Sequence, residues 1–384
     1  MEREPFLLTK DFNKGRINPS EKNKLIMKRI FSVTLLVAMC SLGQVAKAQL
    51  PKLKDIPVTA KFGGYIIGNY TYYDEESKDR TAGFNLRLAR VYVNGTVAKD
   101  FKYRLQMEVN GAPGVDKGPR IVDAYVEWVK HPWLNVRFGQ MKRAFTFENP
   151  YNPWNQGFGA YAQAVTKLSG FSDRVGEHSS GGRDAGLLLQ GDLFPIGKDE
   201  HRLFHYQVGV YNGQGVNHND ANSSKDIIGG VWFAPIKDLQ IGAFGWAGEY
   251  TANGMTVDRN RMSFGVKYEA DWTIRAEYIT SEGRSTKNLY SGDKADGWYA
   301  AVGVPVGKQF KVYGKWDVYR DEKTSDTQTS IYGLSLNYWL DKNLMIQGGY
   351  NFTNARSALY SAEGVRSTSE SFYNMLQLQV YVRF

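Results

Sequence analysis

The sequence is nearly devoid of cysteine and poor in histidine. Cys40 is its only cysteine, and its five histidines all fall between His131 and His218. Cys40 lies in a leader that we expect to be removed, so the mature chain would form no disulfide and carry no thiol nucleophile. The sequence also has no dinucleotide-binding or P-loop glycine motif, and no serine and histidine pair stands out. We therefore predict no enzymatic activity, no catalytic residues, no metal site and no cofactor.

Long apolar runs are also scarce. The only one free of charge covers residues 30–46 and follows the triplet MKR. A short cationic stretch, an apolar stretch and a small-residue site ending at Ala48 are the parts of a secretory signal peptide. We predict cleavage after Ala48 and a translation start at Met27. The chain then divides into a leader, residues 1–48, and a mature domain, residues 49–384.

A membrane-anchoring helix and a lipoprotein signal ending at Cys40 are alternatives for this run. The run has 17 residues, whereas a membrane-spanning helix needs about 20. Met39 is bulky at the place where a lipoprotein signal has a small residue. Both points favour the signal peptide.

The mature chain also lacks an excess of one charge. Without residues 1–48 it has 39 Lys and Arg against 35 Asp and Glu, a net charge of +4. This value is too small to indicate a nucleic-acid partner.

Aromatic residues, in contrast, are abundant, and apolar residues alternate with polar ones in many segments. Phe, Trp and Tyr make up 14% of the chain. Apolar side chains occupy every second position in FKYRLQMEVN, residues 101–110. The segment SFYNMLQLQVYVRF, residues 371–384, has the same period and ends on its apolar face at Phe384. A period of two predicts β-strands with one face suited to hydrocarbon and the other to water.

The alternation predicts an all-β fold, a closed antiparallel transmembrane barrel of about sixteen strands. Tight turns such as KHP, residues 130–132, alternate with long polar loops such as residues 213–225, as on the two rims of an outer-membrane barrel. A soluble β-sandwich would also alternate, but the even strand number, the two classes of loop and the aromatic end of the last strand favour the barrel. The predicted strands are 61–73, 83–97, 101–110, 120–129, 133–141, 183–193, 203–212, 226–234, 238–249, 260–270, 272–281, 296–305, 309–320, 328–340, 343–353 and 371–384.

One strand breaks the alternation. In FNLRLARVYVNG, the apolar positions change face between Leu88 and Val91. A β-bulge between Leu88 and Arg90 would restore the pattern. It would also direct both Arg87 and Arg90 into the barrel.

The polar face is predicted to line the lumen, because Lys or Arg facing lipid at the bilayer midplane costs about 2–4 kcal/mol each. Sixteen strands leave a water-filled channel. An excess of basic residues on its wall would favour the entry of anions, although pairing of these charges between strands is an alternative. The predicted basic residues are Arg87, Arg90, Lys102, Arg104, Arg137, Lys267, Arg275, Lys311, Lys315 and Arg383, and the acidic ones are Glu108, Asp123, Glu127, Glu269, Glu277 and Asp317.

The loop of residues 142–182 follows the fifth predicted strand and is too long for a simple hairpin. Its segment FTFENPYNPWNQGFGAYAQAV is aromatic and apolar, so full exposure to water would be unfavourable. We predict that the loop folds into the barrel and narrows the channel, with an extracellular cap as the alternative. The candidate charges at this constriction are Lys142, Arg143, Lys167, Arg174 and Arg183.

Three segments resemble the phosphate-selective porin O and P family of Gram-negative outer membranes. They are FNLRLARVYVNGTVAKDFKYRLQMEVN, IVDAYVEWVKHPWLNVRFGQMKRAFTFENP, and GGRDAGLLLQGDL with the following FHYQVGVYNGQG. The resemblance covers roughly residues 60–384. It implies a sixteen-stranded trimeric porin whose loop after the fifth strand forms the constriction and whose lumen binds anions through arginine and lysine. By local pattern, the family's basic wall residues correspond to Arg87, Arg90, Lys102 and Arg104, with Arg174 and Arg183 around the loop.

We therefore predict a passive, anion-preferring channel of the Gram-negative outer membrane. Phosphate or polyphosphate is the expected class of permeant, and outer-membrane lipid and identical subunits in a trimer are the expected partners. The six acidic residues predicted in the lumen leave a general small-solute pore open, and a binding or adhesion barrel closed by its loop is a further alternative. The candidate pore-lining residues are Arg87, Arg90, Lys102, Arg104, Arg137, Lys142, Arg143, Arg174, Arg183, Lys311 and Lys315.

Overall fold

A computed structural model describes residues 56–75, 81–111, 118–287, 290–323, 326–361 and 364–384. Within these ranges, sixteen antiparallel strands close into one barrel, and two further strands form a separate hairpin. The predicted signal peptide, its cleavage site after Ala48 and the proposed start at Met27 lie outside the described residues.

The strands, numbered in chain order, agree closely with the alternating segments of the sequence. They are β1 Val58–Glu75, β2 Thr81–Val97, β3 Phe101–Glu108, β4 Arg120–His131, β5 Leu134–Lys142, β6 Arg183–Ile196, β7 His201–Tyr211, β8 Asp226–Ile236, β9 Leu239–Ala247, β10 Glu249–Ala252, β11 Met255–Asp258, β12 Asn260–Glu269, β13 Thr273–Glu282, β14 Lys294–Pro305, β15 Phe310–Arg320, β16 Gln328–Asp341, β17 Leu344–Tyr360 and β18 Arg366–Arg383.

The barrel closes between its first and last strands. β1 pairs with β18 in a register that places Tyr65 opposite Arg383. Just beyond that pair, the amide of Gly64 donates to the carbonyl of Phe384, and the amide of Phe384 donates to the carbonyl of Gly64, both at 3.0 Å. The final segment is therefore an ordered strand, as its alternation predicted.

The two faces of the wall differ as a membrane barrel requires. Large apolar side chains point outward, among them Phe84 and Phe138, which are 87% and 71% exposed. Polar and charged side chains such as Gln106, Glu108 and Asp123 are buried on the inner side. This arrangement confirms the barrel, and the β-sandwich alternative is wrong, because a sandwich would bury its apolar face.

Three local details differ from the sequence-based predictions. The segment 354–370 is not one long loop, because β17 and β18 continue their ladder to the pair Tyr360 and Arg366. The segment 250–259 contains the β10–β11 hairpin. The bulge in β2 falls at Arg87, between the pairs Ile67–Leu88 and Gly68–Leu86.

This bulge position decides where three side chains point. Arg87 and Arg90 both bond to inward-facing partners, Tyr381 and Glu108, as the predicted bulge required. Leu88 packs against an inner apolar cluster, whereas a bulge C-terminal to it would have placed it on the lipid-facing side. The register therefore shifts slightly earlier in the strand than predicted.

Helical structure is limited in the described part of the chain. The connection between β5 and β6 holds a 3-10 turn, Pro153–Asn155, and a helix, α1, Gln163–Leu168. No described helix has the length and apolar character needed to cross a membrane.

Candidate functional site

The connection between β5 and β6, residues 143–182, is called here the long loop, and it lies against the inner face of the wall. The amide of Phe147 donates to Glu277 Oε1 at 2.6 Å, and the amide of Gln163 donates to Asp317 Oδ2 at 2.9 Å. Both acceptors lie on strands opposite the loop's origin, namely β13 and β15. The loop therefore extends across the interior of the barrel.

Apolar packing explains why the long loop stays inside. Phe145 and Leu168 of the loop are almost fully buried against inward-facing Phe244, Trp246 and Ile279. Each square ångström of apolar surface removed from water contributes roughly 25 cal/mol. The inner wall is therefore not polar throughout, because β9 and β13 present an apolar patch that the loop covers.

On the other side of the long loop, an opening remains against the inner faces of β1 to β6. It is a cavity of about 220 Å³. The strands contribute most of its polar lining, and the loop contributes a short aromatic and proline-rich edge. The lining residues are Tyr65, Arg90, Arg104, Gln106, Asp123, Tyr125, Arg137, Lys142, Pro150, Tyr151, Asn152, Pro153 and Arg183.

Arginines on neighbouring strands share the carboxylates around this opening. Glu108 pairs with Arg90 at 2.5 Å and with Arg120 at 2.8 Å. Glu127 pairs with Arg137 at 3.0 Å. Glu108 therefore links the inner faces of β2 and β4 through its two arginine partners.

Asp123 is shared in the same way. It lies 2.7 Å from Arg183 and 3.3 Å from Arg104. With Lys142 included, five basic residues line the opening, and three carboxylates pair with them. The basic residues are Arg90, Arg104, Arg137, Lys142 and Arg183, and the carboxylates are Glu108, Asp123 and Glu127.

Lys142 differs from the arginines because it has no carboxylate within ion-pair distance among the described residues. Its ammonium group donates to Asn149 Oδ1 at 3.2 Å and to the carbonyl of Gly181 at 2.7 Å. The rings of Tyr161 and Phe171 lie 5.5 and 4.6 Å from Nζ. Neutral dipoles and ring faces therefore hold Lys142 in place of a direct ion pair.

Tyrosine rings support two of the arginines. The guanidinium carbon of Arg104 lies 4.8 Å from the ring centre of Tyr92, and that of Arg137 lies 4.5 Å from the ring of Tyr125. Stacking uses the flat face of a guanidinium and leaves its N–H edges free to bond carboxylates or anions. The tyrosines thus fix the direction in which these donors point.

The chain matches one protein family over most of its length. The profile of the Gram-negative porins covers residues 32–358. The chain belongs to the Gram-negative porins. It is therefore an outer-membrane channel and not an enzyme, which confirms both predictions, and the family is consistent with the resemblance seen in the sequence.

Solved structures show the same fold at low sequence identity. The anion-selective porin of Comamonas acidovorans shares 15% identity at a TM-score of 0.65, over 85% of this chain and 100% of that one. Salmonella typhi OmpF, solved with daunomycin, shares 10% at a TM-score of 0.60, over 85% and 97% of the two chains. The trimer form of Vibrio cholerae OmpT shares 13% at a TM-score of 0.55, over 84% and 99%. No curated protein gives a significant match.

The porin brings five of the eleven predicted site residues to the opening and distributes the others elsewhere. Arg90, Arg104, Arg137, Lys142 and Arg183 line the opening. The remaining six are Arg87, Lys102, Arg143, Arg174, Lys311 and Lys315.

Three of these six lie on strands of the porin, apart from the opening. Arg87 donates to Gln379 and to the hydroxyl of Tyr381. Lys102 is exposed near the tight turn that precedes β3. Lys311 donates to Thr273 at 2.8 Å on the opposite wall.

The other three are engaged in holding the long loop of the porin. Lys315 pairs with Asp317 at 3.3 Å and is nearly buried under the loop. Arg174 donates to the carbonyl groups of Gly283, Gly292 and Asp321. Arg143 is fully buried. These side chains bond protein groups of the wall and the loop, and they do not line the opening.

Two acids of the long loop have pKa values shifted in opposite directions. Burial raises the pKa of Glu148 by more than nearby Lys315 lowers it. Burial also acts to raise the pKa of Asp173, but Arg261, at 2.6 and 2.7 Å, outweighs burial and lowers that pKa. The loop of the porin is therefore fixed by an ionised pair at Asp173 and by a more readily protonated carboxyl at Glu148.

Sequence reasoning missed several residues that shape the site of the porin. Arg120 shares Glu108 with Arg90, and Tyr65, Tyr125 and Tyr151 line the opening. Arg120 is the first residue of β4, so alternation gave no signal for it. Tyr65 and Tyr125 lie in predicted strands, and Tyr151 lies in the aromatic part of the long loop. Only the tertiary structure shows that each ring lies near a guanidinium group.

Proposed function

We propose that the protein is an anion-preferring diffusion channel whose permeants include inorganic anions of the phosphate class. The observation that carries this proposal is the set of five basic residues that line the opening, against three carboxylates that pair with them. A positive excess in a narrow, low-dielectric passage lowers the entry barrier for anions and raises it for cations. The anion selectivity stated for the Comamonas acidovorans porin supports the same proposal.

The proposed channel binds its permeants weakly. Four of its arginines, namely Arg90, Arg104, Arg137 and Arg183, already bond carboxylates of the wall. Conduction requires that a permeant be released as readily as it is bound. Inorganic phosphate would therefore pass without a long residence, and chloride would pass as well.

The proposal extends to the assembly and processing of the chain. A homotrimer in outer-membrane lipid is proposed, in line with the trimer form described for Vibrio cholerae OmpT. Removal of residues 1–48 before assembly is proposed from the signal-peptide pattern. Cross-linking in detergent and N-terminal sequencing of the mature protein test these two points.

The decisive experiment is single-channel recording of the purified mature protein in a planar bilayer. We expect a reversal potential of the anion-selective sign in a KCl gradient, and a change in current when phosphate replaces chloride. A reversal potential near zero would replace the proposal with a general small-solute porin whose wall charges are compensated. Absence of conductance would replace it with a binding barrel closed by its loop.

A further inference from the structure

Three buried arginines and four buried carboxylates surround Trp246 on the inner wall. This set, called here the arginine clasp, is separate from the lining of the opening. The members other than Trp246 are Arg143, Asp173, Glu177, Asp184, Asp226, Arg259 and Arg261. Their side chains are at most 1% exposed, so they are shielded from bulk water.

Ion pairs connect five members of the clasp into one network, and Arg261 and Asp173 form a separate pair beside the same Trp246 ring. Glu177 of the long loop lies 3.0 Å from Arg143 and 2.5 Å from Arg259. Arg259 also reaches Asp226 on β8 at 2.7 Å. Arg143 reaches Asp184 on β6 at 2.8 Å. The network therefore joins the start of the loop, the far part of the loop and two strands of the barrel.

Trp246 holds the three guanidinium groups at one place. The guanidinium carbons of Arg143, Arg259 and Arg261 lie 4.9, 4.7 and 4.7 Å from its ring. Its Nε1 donates to Asp226 at 2.9 Å. Desolvated cation–π contacts are stronger than exposed ones, so this ring offsets part of the repulsion among three neighbouring cations.

The clasp is directly connected to two cations of the opening. Lys142 and Arg183 are opposite each other in the β5–β6 ladder and both line the opening. The next residue after each of them, Arg143 and Asp184, belongs to the clasp, and these two are paired with each other. A shift of the clasp would therefore move both cations of the opening together.

We propose that Arg259 is a positioning residue for ion selectivity, acting through Glu177 and Arg143 on the two cations at the root of the long loop. Arg259 itself touches no permeant. Its role is to keep the loop and the pair of Lys142 and Arg183 in one arrangement while ions pass.

The test compares Arg259→Met and Arg259→Lys with the unaltered mature protein in planar bilayers. Arg259→Met leaves Glu177 and Asp226 short of a partner in a buried site, which is strongly unfavourable. We expect brief closures and conductance sublevels of the channel to become at least tenfold more frequent, as an order of magnitude. We also expect the reversal potential in a KCl gradient to move toward zero. Arg259→Lys keeps the charge and is expected to restore most of the selectivity.

Arg320→Met is the matched control, because it also removes an arginine from an aspartate pair. Arg320 pairs with Asp296 at 2.5 Å and lies on the outward side of β15, since its neighbour Tyr319 belongs to the inner cluster. This variant should leave the closure frequency and the reversal potential unchanged. Retention of heat-modifiable mobility on gels shows that each variant still forms a barrel.

If Arg259→Met does not fold, Glu177→Gln replaces it, because glutamine removes the charge and keeps the shape. The proposal would be overturned if a folded clasp variant kept the closure frequency and reversal potential of the unaltered protein. It would also be overturned if Arg320→Met changed these two quantities as much as the clasp variant does. The expected change in reversal potential rests on the proposed function, whereas the expected change in closure frequency does not. If the unaltered channel proves unselective, closure frequency alone decides the role of the clasp.

Discussion

At the scale of single residues, the selectivity of the opening depends on how many cations lack a partner. Each arginine of its lining has a carboxylate within 3.3 Å. Lys142 has none among the described residues and is held by Asn149 and Gly181 instead. Its ammonium group therefore lines the opening without a direct ion-pair partner among the described residues.

Replacing this lysine tests that assignment. Lys142→Gln removes one positive charge from the opening, so we expect the reversal potential in a KCl gradient to move toward zero while the channel remains open. Lys102→Gln is the matched control, because Lys102 is exposed outside the lining. Equal shifts in the two variants would mean that the overall charge of the protein, and not the opening, sets the selectivity.

At the scale of the strands, the closure between β1 and β18 depends on a close approach of two backbones. Gly64 pairs with Phe384 through two hydrogen bonds of 3.0 Å. A Cβ atom at Gly64 would lie 2.7 Å from the carbonyl oxygen of Arg90. Gly68, four positions later in the same strand, has no atom within 4 Å of such a Cβ.

The two glycines give a matched pair of substitutions. Gly64→Val is expected to destabilise the barrel by about 1–3 kcal/mol, as overpacking typically does. Gly68→Val should be neutral or slightly stabilising, because β-branched residues favour strands. The temperature at which each variant loses its heat-modifiable mobility on gels measures the difference. Similar midpoints for both variants would show that the closure tolerates a larger separation of the strands.

At the scale of the whole molecule, selectivity by an electrostatic field must weaken in salt. The screening length falls from about 10 Å at 0.1 M to about 3 Å at 1 M ionic strength. We therefore expect the ratio of anion to cation permeability to fall between 0.1 M and 1 M KCl, as measured from reversal potentials at a fixed gradient. A ratio that stays constant would indicate that direct contact with the lining residues discriminates between ions.

The sequence by itself determined the strands and the faces of the barrel. A period of two is a local property, and lipid outside with water inside requires it wherever the inner face is not covered by the long loop. For the same reason FKYRLQMEVN and the segment ending at Phe384 were predicted correctly. The bulge in β2 was predicted one residue C-terminal to its position in the structure. The sequence around Arg87 shows that the alternation changes face, but it does not show which residue is left unpaired.

Only the tertiary structure decided which cations surround the opening. Arg143 and Lys142 are adjacent in sequence, yet one is buried in the clasp and the other lines the opening. Asp123 reaches Arg183, sixty residues away, only because the closed barrel sets their register. Charge pairing and burial depend on such long-range contacts, whereas alternation depends on the next residue along the chain. For this reason the sequence predicted a barrel with a basic wall, whereas only the tertiary structure shows which few basic residues line the opening.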